Sequence, residues 1–222
     1  MGIMTDFARP DGVATKGYLA TAGHGRPGII VIQEWWGLNE QMKATADRLA
    51  RDGFRAIVPD LYGGRVADTR EEAGHLMEGL DFGDAATQDA VGAVRYLKAH
   101  GARKVAVGGF CMGGAVALLA AMNGRDFDAV VTWYGFPPPE AGDPARISVP
   151  IQGHWAERDE FFKADDLNEL ERRLVAAGAA HEFYRYDAKH AFYNPGGIGN
   201  YHREHAETAW RRMVEFLNRT LQ

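Results

Sequence analysis

With Cys111 as its only cysteine, the chain has no means of building an internal disulfide framework. No window approaches eighteen consecutive apolar residues, which excludes an ordinary transmembrane helix. Cationic residues are in the minority: 25 Lys and Arg against 30 Asp and Glu give a formal net charge of −5, and the basic residues are scattered. Neither nucleic acid nor an anionic membrane surface is therefore an expected partner. Low-complexity stretches, internal repeats and evident linkers are missing as well. The opening residues Met1 to Asp6 have neither the basic nor the apolar region of a secretory leader, so the cytoplasm is the expected compartment.

What is present fits a soluble globular chain, with 46% hydrophobic and 25% charged residues. A monomer with one domain over residues 1–222 and a small-molecule partner is expected. Turn signals at Pro10-Asp11-Gly12 and from Gly23 to Pro27 bracket an N-terminal hairpin at a sheet edge. The β-branched run Gly28 to Gln33 and the run Arg55 to Asp60 read as strands buried on both faces. Between them Asn39 caps a helix that Gly53 closes. Thr69 caps another helix to about Leu80, and Asp84 or Thr87 starts the next, through Ala99. Val105 onward is a strand, followed by a small-residue helix from Ala115 to Met122. Strands at 127–134, 149–154 and 181–186 and helices at 164–177 and 201–221 complete the chain. This alternation predicts an α/β fold, a mostly parallel central sheet with helices on both faces.

In such sheets function gathers at the carboxyl ends of the strands. There the chain places Gly109-Phe110-Cys111-Met112-Gly113, whose glycines allow a strand to bend sharply into a helix and lift the central side chain. A thiol at a helix N-terminus is a candidate nucleophile, because the macrodipole and free N–H groups favour the thiolate; a buried structural cysteine is the plainer alternative. His190 follows the last strand and is the natural general base. Asp159 follows the strand before it, with Glu157 as a rival in the same loop. The resulting order of nucleophile, acid and histidine is that of α/β-hydrolases. Glu34 ends a buried strand beside Trp35 and Trp36, where burial would raise its proton affinity. It could accept the thiol proton or hold the thiol neutral at rest. His202 and His205 share a face of the terminal helix without accompanying cysteines or carboxylates, so no metal site is expected, and no cofactor.

Taken together, Gln33-Glu34-Trp35-Trp36-Gly37-Leu38-Asn39, Pro59-Asp60-Leu61-Tyr62, Gly109 to Gly114, Trp133-Tyr134-Gly135 and His190-Ala191-Phe192 resemble the dienelactone hydrolase (carboxymethylenebutenolidase) family over nearly the whole chain. The resemblance implies an α/β-hydrolase fold with Cys111, Asp159 and His190 as a triad and Glu34 controlling the thiol. It also implies an oxyanion hole from the backbone N–H groups of Trp35 and Met112, and hydrolysis of a lactone or ester, dienelactone foremost, through an acyl-thioester. Trp36 and Tyr134 are expected at the substrate. Arg70 aligns with one of two arginines that grip the substrate carboxylate, whereas Asn194 stands where the second would fall. An amide brings no charge, so a less anionic ester fits as well. A broad-specificity carboxylesterase or thioesterase, and a non-catalytic ligand-binding or redox-sensing homologue, are the alternatives.

Overall fold

The computed structural model describes residues Met1–Gln222. Eight strands form one sheet in the order β1-β2-β4-β3-β5-β6-β7-β8. The expected hairpin is β1 (Ile3–Ala8) and β2 (Ala14–Thr21), which also pairs antiparallel with β4 (Arg55–Pro59). From there β3 (Gly28–Ile32), β5 (Val105–Phe110), β6 (Ala129–Trp133), β7 (Ile151–Arg158) and β8 (His181–Lys189) run parallel. β3, β4, β5 and β6 are buried along their whole length, as their unbroken apolar runs require.

Helices cover both faces. On one side α1 (Glu40–Arg51) and α7 (Arg203–Leu221) pack with Ile29, Val31, Ala106 and Val131. On the other, α4 (Ala90–Ala99), α5 (Met112–Asn123) and α6 (Ala164–Ala176) pack with Ile30, Ile57, Val107 and Val130. The split follows from the alternation of side chains along each strand. α5 is buried from Met112 to Met122, which is why its sequence has no polar stripe. It begins three residues before the sequence suggests, because Gly113 and Gly114 are helical.

Three further differences have local causes. Asn39 and Thr69 cap α1 and α2 (Arg70–Glu78) as expected, but the next helical segment is capped by Asp81. That segment, α3 (Phe82–Asp84), passes through a π turn at Ala85–Asp89 into α4. β7 and β8 run past the strands inside them, pairing as far as Arg158 and Lys189 through a bulge after Ala156. The Arg158 Nε to Asp187 Oδ1 ion pair, 2.8 Å, joins the two extensions. His202 is the N-cap of α7 rather than part of its face, its ring stacked on His205. No helix is long and apolar enough to cross a membrane.

Candidate active site

Only three non-glycine residues have positive φ, Cys111 (54°), Tyr134 (39°) and Ala191 (61°), and each lies within two residues of the carboxyl end of a sheet strand. Backbone strain of this kind persists only where the surroundings over-determine it. At Cys111 the cause is visible. Its N–H donates to Trp133 O at 2.9 Å and its C=O accepts from Gly114 N–H at 2.9 Å, so the chain turns from β5 into α5 within one residue. A Cβ on Gly109 would strike the Gly113 carbonyl, and one on Gly113 the carbonyls of Ile32 and Gln33. These glycines press the start of α5 against the end of β3, where Glu34 and Trp35 follow. Gly113→Ala is expected to cost about 3 kcal/mol of stability by overpacking, read as a lower urea midpoint; an unchanged midpoint would mean that β3 can yield.

The extension of β7 and β8 places the acid and the histidine. With Arg158 opposite Lys189, the next residue on each strand is Asp159 and His190. Asp159 Oδ2 lies 2.8 Å from His190 Nδ1, both side chains being buried. The other oxygen, Oδ1, accepts the Phe161 and Phe162 N–H groups at 2.8 and 3.0 Å, which holds the carboxylate in orientation. Glu157 is exposed and makes no contact with the imidazole, so the structure pairs His190 with Asp159. A carboxylate at Nδ1 requires the proton there and leaves the Nε2 lone pair free. Phe161, Phe162 and Tyr134 pack on the ring, with centroids at 4.7, 5.7 and 5.1 Å.

Glu34 is only 4% exposed. Its Oε1 accepts the Tyr134 hydroxyl at 3.1 Å, and its Oε2 accepts the Asn194 amide. Asn194 Oδ1 accepts Gly196 N–H at 2.9 Å, which directs the amide NH2 to Glu34. Both partners are neutral, and no Lys or Arg pairs with this carboxylate. Desolvation therefore dominates and raises its pKa, against smaller lowering by Asn194, His190 and Tyr134.

Cys111 is part-exposed. Burial by the surrounding protein, and secondarily the Glu34 charge, push the thiol far above its ordinary pKa, against a lowering contribution from the Met112 N–H. Of the two influences that the sequence suggests, the helix terminus that favours the thiolate and the Glu34 carboxylate that opposes it, desolvation adds to the second. The Trp35 N–H makes no hydrogen bond within the protein.

Cys111, Glu34 and His190 all face one cavity of about 270 Å³, of whose 15 lining residues 12 are hydrophobic. Trp35, Trp36 and Met112 line it, so the tryptophan pair forms part of its wall as well as packing over the Ala67, Ala73 and Leu76 cluster. No Lys or Arg does. Arg70 is exposed at the first position of α2, outside the lining and without an ion pair, so its expected place at the substrate is not met. Tyr134 and Asn194 are also absent from the lining, since both are committed to Glu34. Sequence reading missed Met77, Phe82, Phe136, Phe161, Phe162 and Ile198, which are lining residues from four separate segments. Their only signal is apolar character in loops and helix ends.

The sheet order and the turn at Cys111 are those of an α/β-hydrolase. A dienelactone hydrolase-like promiscuous phosphotriesterase from metagenomic libraries superposes with TM-score 0.86 at 26% identity, covering 100% of this chain and 99% of that one. The family model described as "Dienelactone hydrolase family" matches residues 15–221, and the chain belongs to that family. Protein usf of Aquifex pyrophilus is 36% identical over the full length of both chains. A protein of Aquifex aeolicus named "Putative carboxymethylenebutenolidase" is 33% identical, also over the full length of both.

Proposed function

We propose that this chain is a cysteine-dependent hydrolase of small, apolar esters or lactones, acting through an acyl-thioester. The observation that carries the reading is a thiol, a buried carboxylate and an aspartate-held imidazole on one cavity that contains no cation. At rest the thiol is neutral. A bound ester displaces it toward Glu34, whose raised proton affinity suits it to take the proton. The thiolate attacks the carbonyl carbon, and the Trp35 and Met112 N–H groups hold the oxyanion. Collapse breaks the carbon–oxygen bond, and the proton held by Glu34 neutralises the departing oxygen. His190 Nε2 then takes a proton from water as it attacks the thioester, the carbon–sulfur bond breaks, and the proton returns to the thiolate.

The absence of a cation from the cavity lining argues against a carboxylate-bearing substrate, because burying that charge without a partner costs several kcal/mol. A neutral aryl butyrate should therefore exceed cis-dienelactone in kcat/KM by about 10²-fold or more. Arg70→Ala should alter either value less than about twofold. Efficient dienelactone turnover that Arg70→Ala abolishes would overturn this specificity. The same cation-free cavity also suits a neutral phosphotriester, the class in the name of the metagenomic relative, and one belongs in the same panel.

Glu34 control of the thiol has its own signature. Ionised Glu34 raises the thiol pKa, so Glu34→Gln should lower it, and each unit gives about tenfold faster alkylation by iodoacetamide. The gap over wild type should widen as pH rises through the elevated Glu34 pKa, because only the ionised carboxylate acts on the thiol. Ester turnover should fall in the same variant, since the proton acceptor is lost. Identical alkylation profiles would remove Glu34 from thiol control.

A further inference from the structure

We infer that this protein is also an acyltransferase, passing the acyl group from Cys111 to an apolar alcohol or phenol in preference to water. The inference rests on the acyl-thioester reading above. Because Asp159 holds His190 Nδ1, whatever attacks the thioester must be deprotonated at Nε2, so the acceptor stands against that edge of the imidazole. The space there is apolar. Phe161 and Phe162 pack on the ring, and Ala191 and Ile198 continue the wall. Among the lining side chains only Glu34 offers further oxygens, and each already has one lone pair taken, by Tyr134 and by Asn194.

A water held in a protein ordinarily makes about three hydrogen bonds. In this cavity its side-chain acceptors are Nε2 and, at most, a spare lone pair of Glu34, short of that number. An alcohol needs only Nε2, and buries its remaining surface on the phenylalanines. At about 25 cal/mol per Å², an acceptor burying roughly 150 Å² is bound several hundred-fold more often than its bulk concentration implies, enough for about 0.1 M alcohol to match bulk water. Phe161 lines the cavity while staying 55% exposed, which puts it at the rim where an acceptor enters.

The transfer balances without a co-reactant. Nε2 takes the hydroxyl proton as the alcohol oxygen bonds to the thioester carbon. The tetrahedral adduct expels the Cys111 sulfur, which recovers that proton from the imidazolium. An ester and the free thiol result.

The test uses the whole protein with p-nitrophenyl butyrate as donor, and either benzyl alcohol or methanol, whose hydroxyls are similarly acidic, at about 0.1 M. Nitrophenol release counts acylations, and chromatography separates butyric acid from butyrate ester. Benzyl butyrate should at least equal butyric acid, with methyl butyrate about tenfold lower or less. Phe161→Ala should lower the benzyl ester to acid ratio at least about threefold. That ratio is set after the shared acyl-enzyme, so it is insensitive to changes in acylation rate. Acid alone, or equal ester yields from the two alcohols, overturns the acyltransferase. Absence of nitrophenol release dependent on Cys111 overturns the parent reading instead.

Discussion

Cys111→Ala should lower kcat/KM for a neutral aryl ester by roughly 10⁴-fold or more, with circular dichroism and thermal midpoint unchanged. Alanine keeps the Cβ, so the positive φ at this position is no more strained than before, and neither backbone hydrogen bond of the turn uses the side chain. What disappears is the proposed nucleophile; the proposed oxyanion donors and the imidazole remain. Intact-mass spectrometry supplies the complementary readout. Wild type exposed briefly to p-nitrophenyl butyrate should gain one butyryl mass, and the alanine variant none. Turnover that survives the substitution would mean direct attack by water, and the thioester route would be abandoned. Absence of both turnover and acylation in the wild type would favour a non-catalytic member of the family.

Asp159→Asn should reduce kcat by about 10³- to 10⁴-fold, the magnitude expected when an imidazole loses its orienting carboxylate. The direction of the new amide is dictated by the backbone. Oδ1 already accepts two N–H groups, from Phe161 and Phe162, so asparagine keeps its carbonyl there and turns its NH2 toward His190. An amide donor at Nδ1 forces the imidazole proton to Nε2, leaving no lone pair to activate water or alcohol. In the proposed route acylation uses the Cys111 and Glu34 pair and is less affected. The variant should therefore release about one equivalent of nitrophenol and then stall, with the butyryl group still on the protein. Glu157→Gln, on an exposed neighbour in the same loop, should change kcat less than about twofold. A stall in the Glu157 variant and not in the Asp159 variant would reverse the assignment.

Asp159→Asn, taken with Glu34→Gln, also separates the roles of the two carboxylates. Glu34 has neutral partners and a raised proton affinity, so it suits taking a proton. Asp159 receives two backbone donors and an imidazole, so it suits orienting the ring. Environment alone divides two similar side chains between these tasks.

Much of this was legible in the chain itself, wherever a local pattern has only one physical meaning. Short, unbroken β-branched runs bounded by turn residues, such as Gly28 to Ile32, read as strands covered on both sides, and alternation with helical segments then favours a mostly parallel sheet. The glycines around Cys111 announce a turn too tight for side chains, and the structure shows the carbonyls that a Cβ would strike. Asn39 and Thr69 announce helix starts because their side chains satisfy free N–H groups. The order of Cys111, Asp159 and His190 follows from which strand each one ends.

Other properties depend on which distant side chains come to share a volume, and local pattern carries no record of that. Nothing in the sequence distinguishes Arg70, left in solvent, from an arginine turned into a pocket. Asn194 reads as a substrate contact until the fold closes its amide on Glu34, 160 residues away. Desolvation of the thiol likewise exists only once the cavity walls are assembled, and it acts with Glu34 against the helix terminus. The sequence by itself determined the sheet, the turn and the order of the reactive groups, because short-range sterics and periodicity decide those. The tertiary structure alone decided the apolar cavity, the carboxylate without a cation and the aromatic wall beside His190, because burial and electrostatics are properties of the assembled neighbourhood.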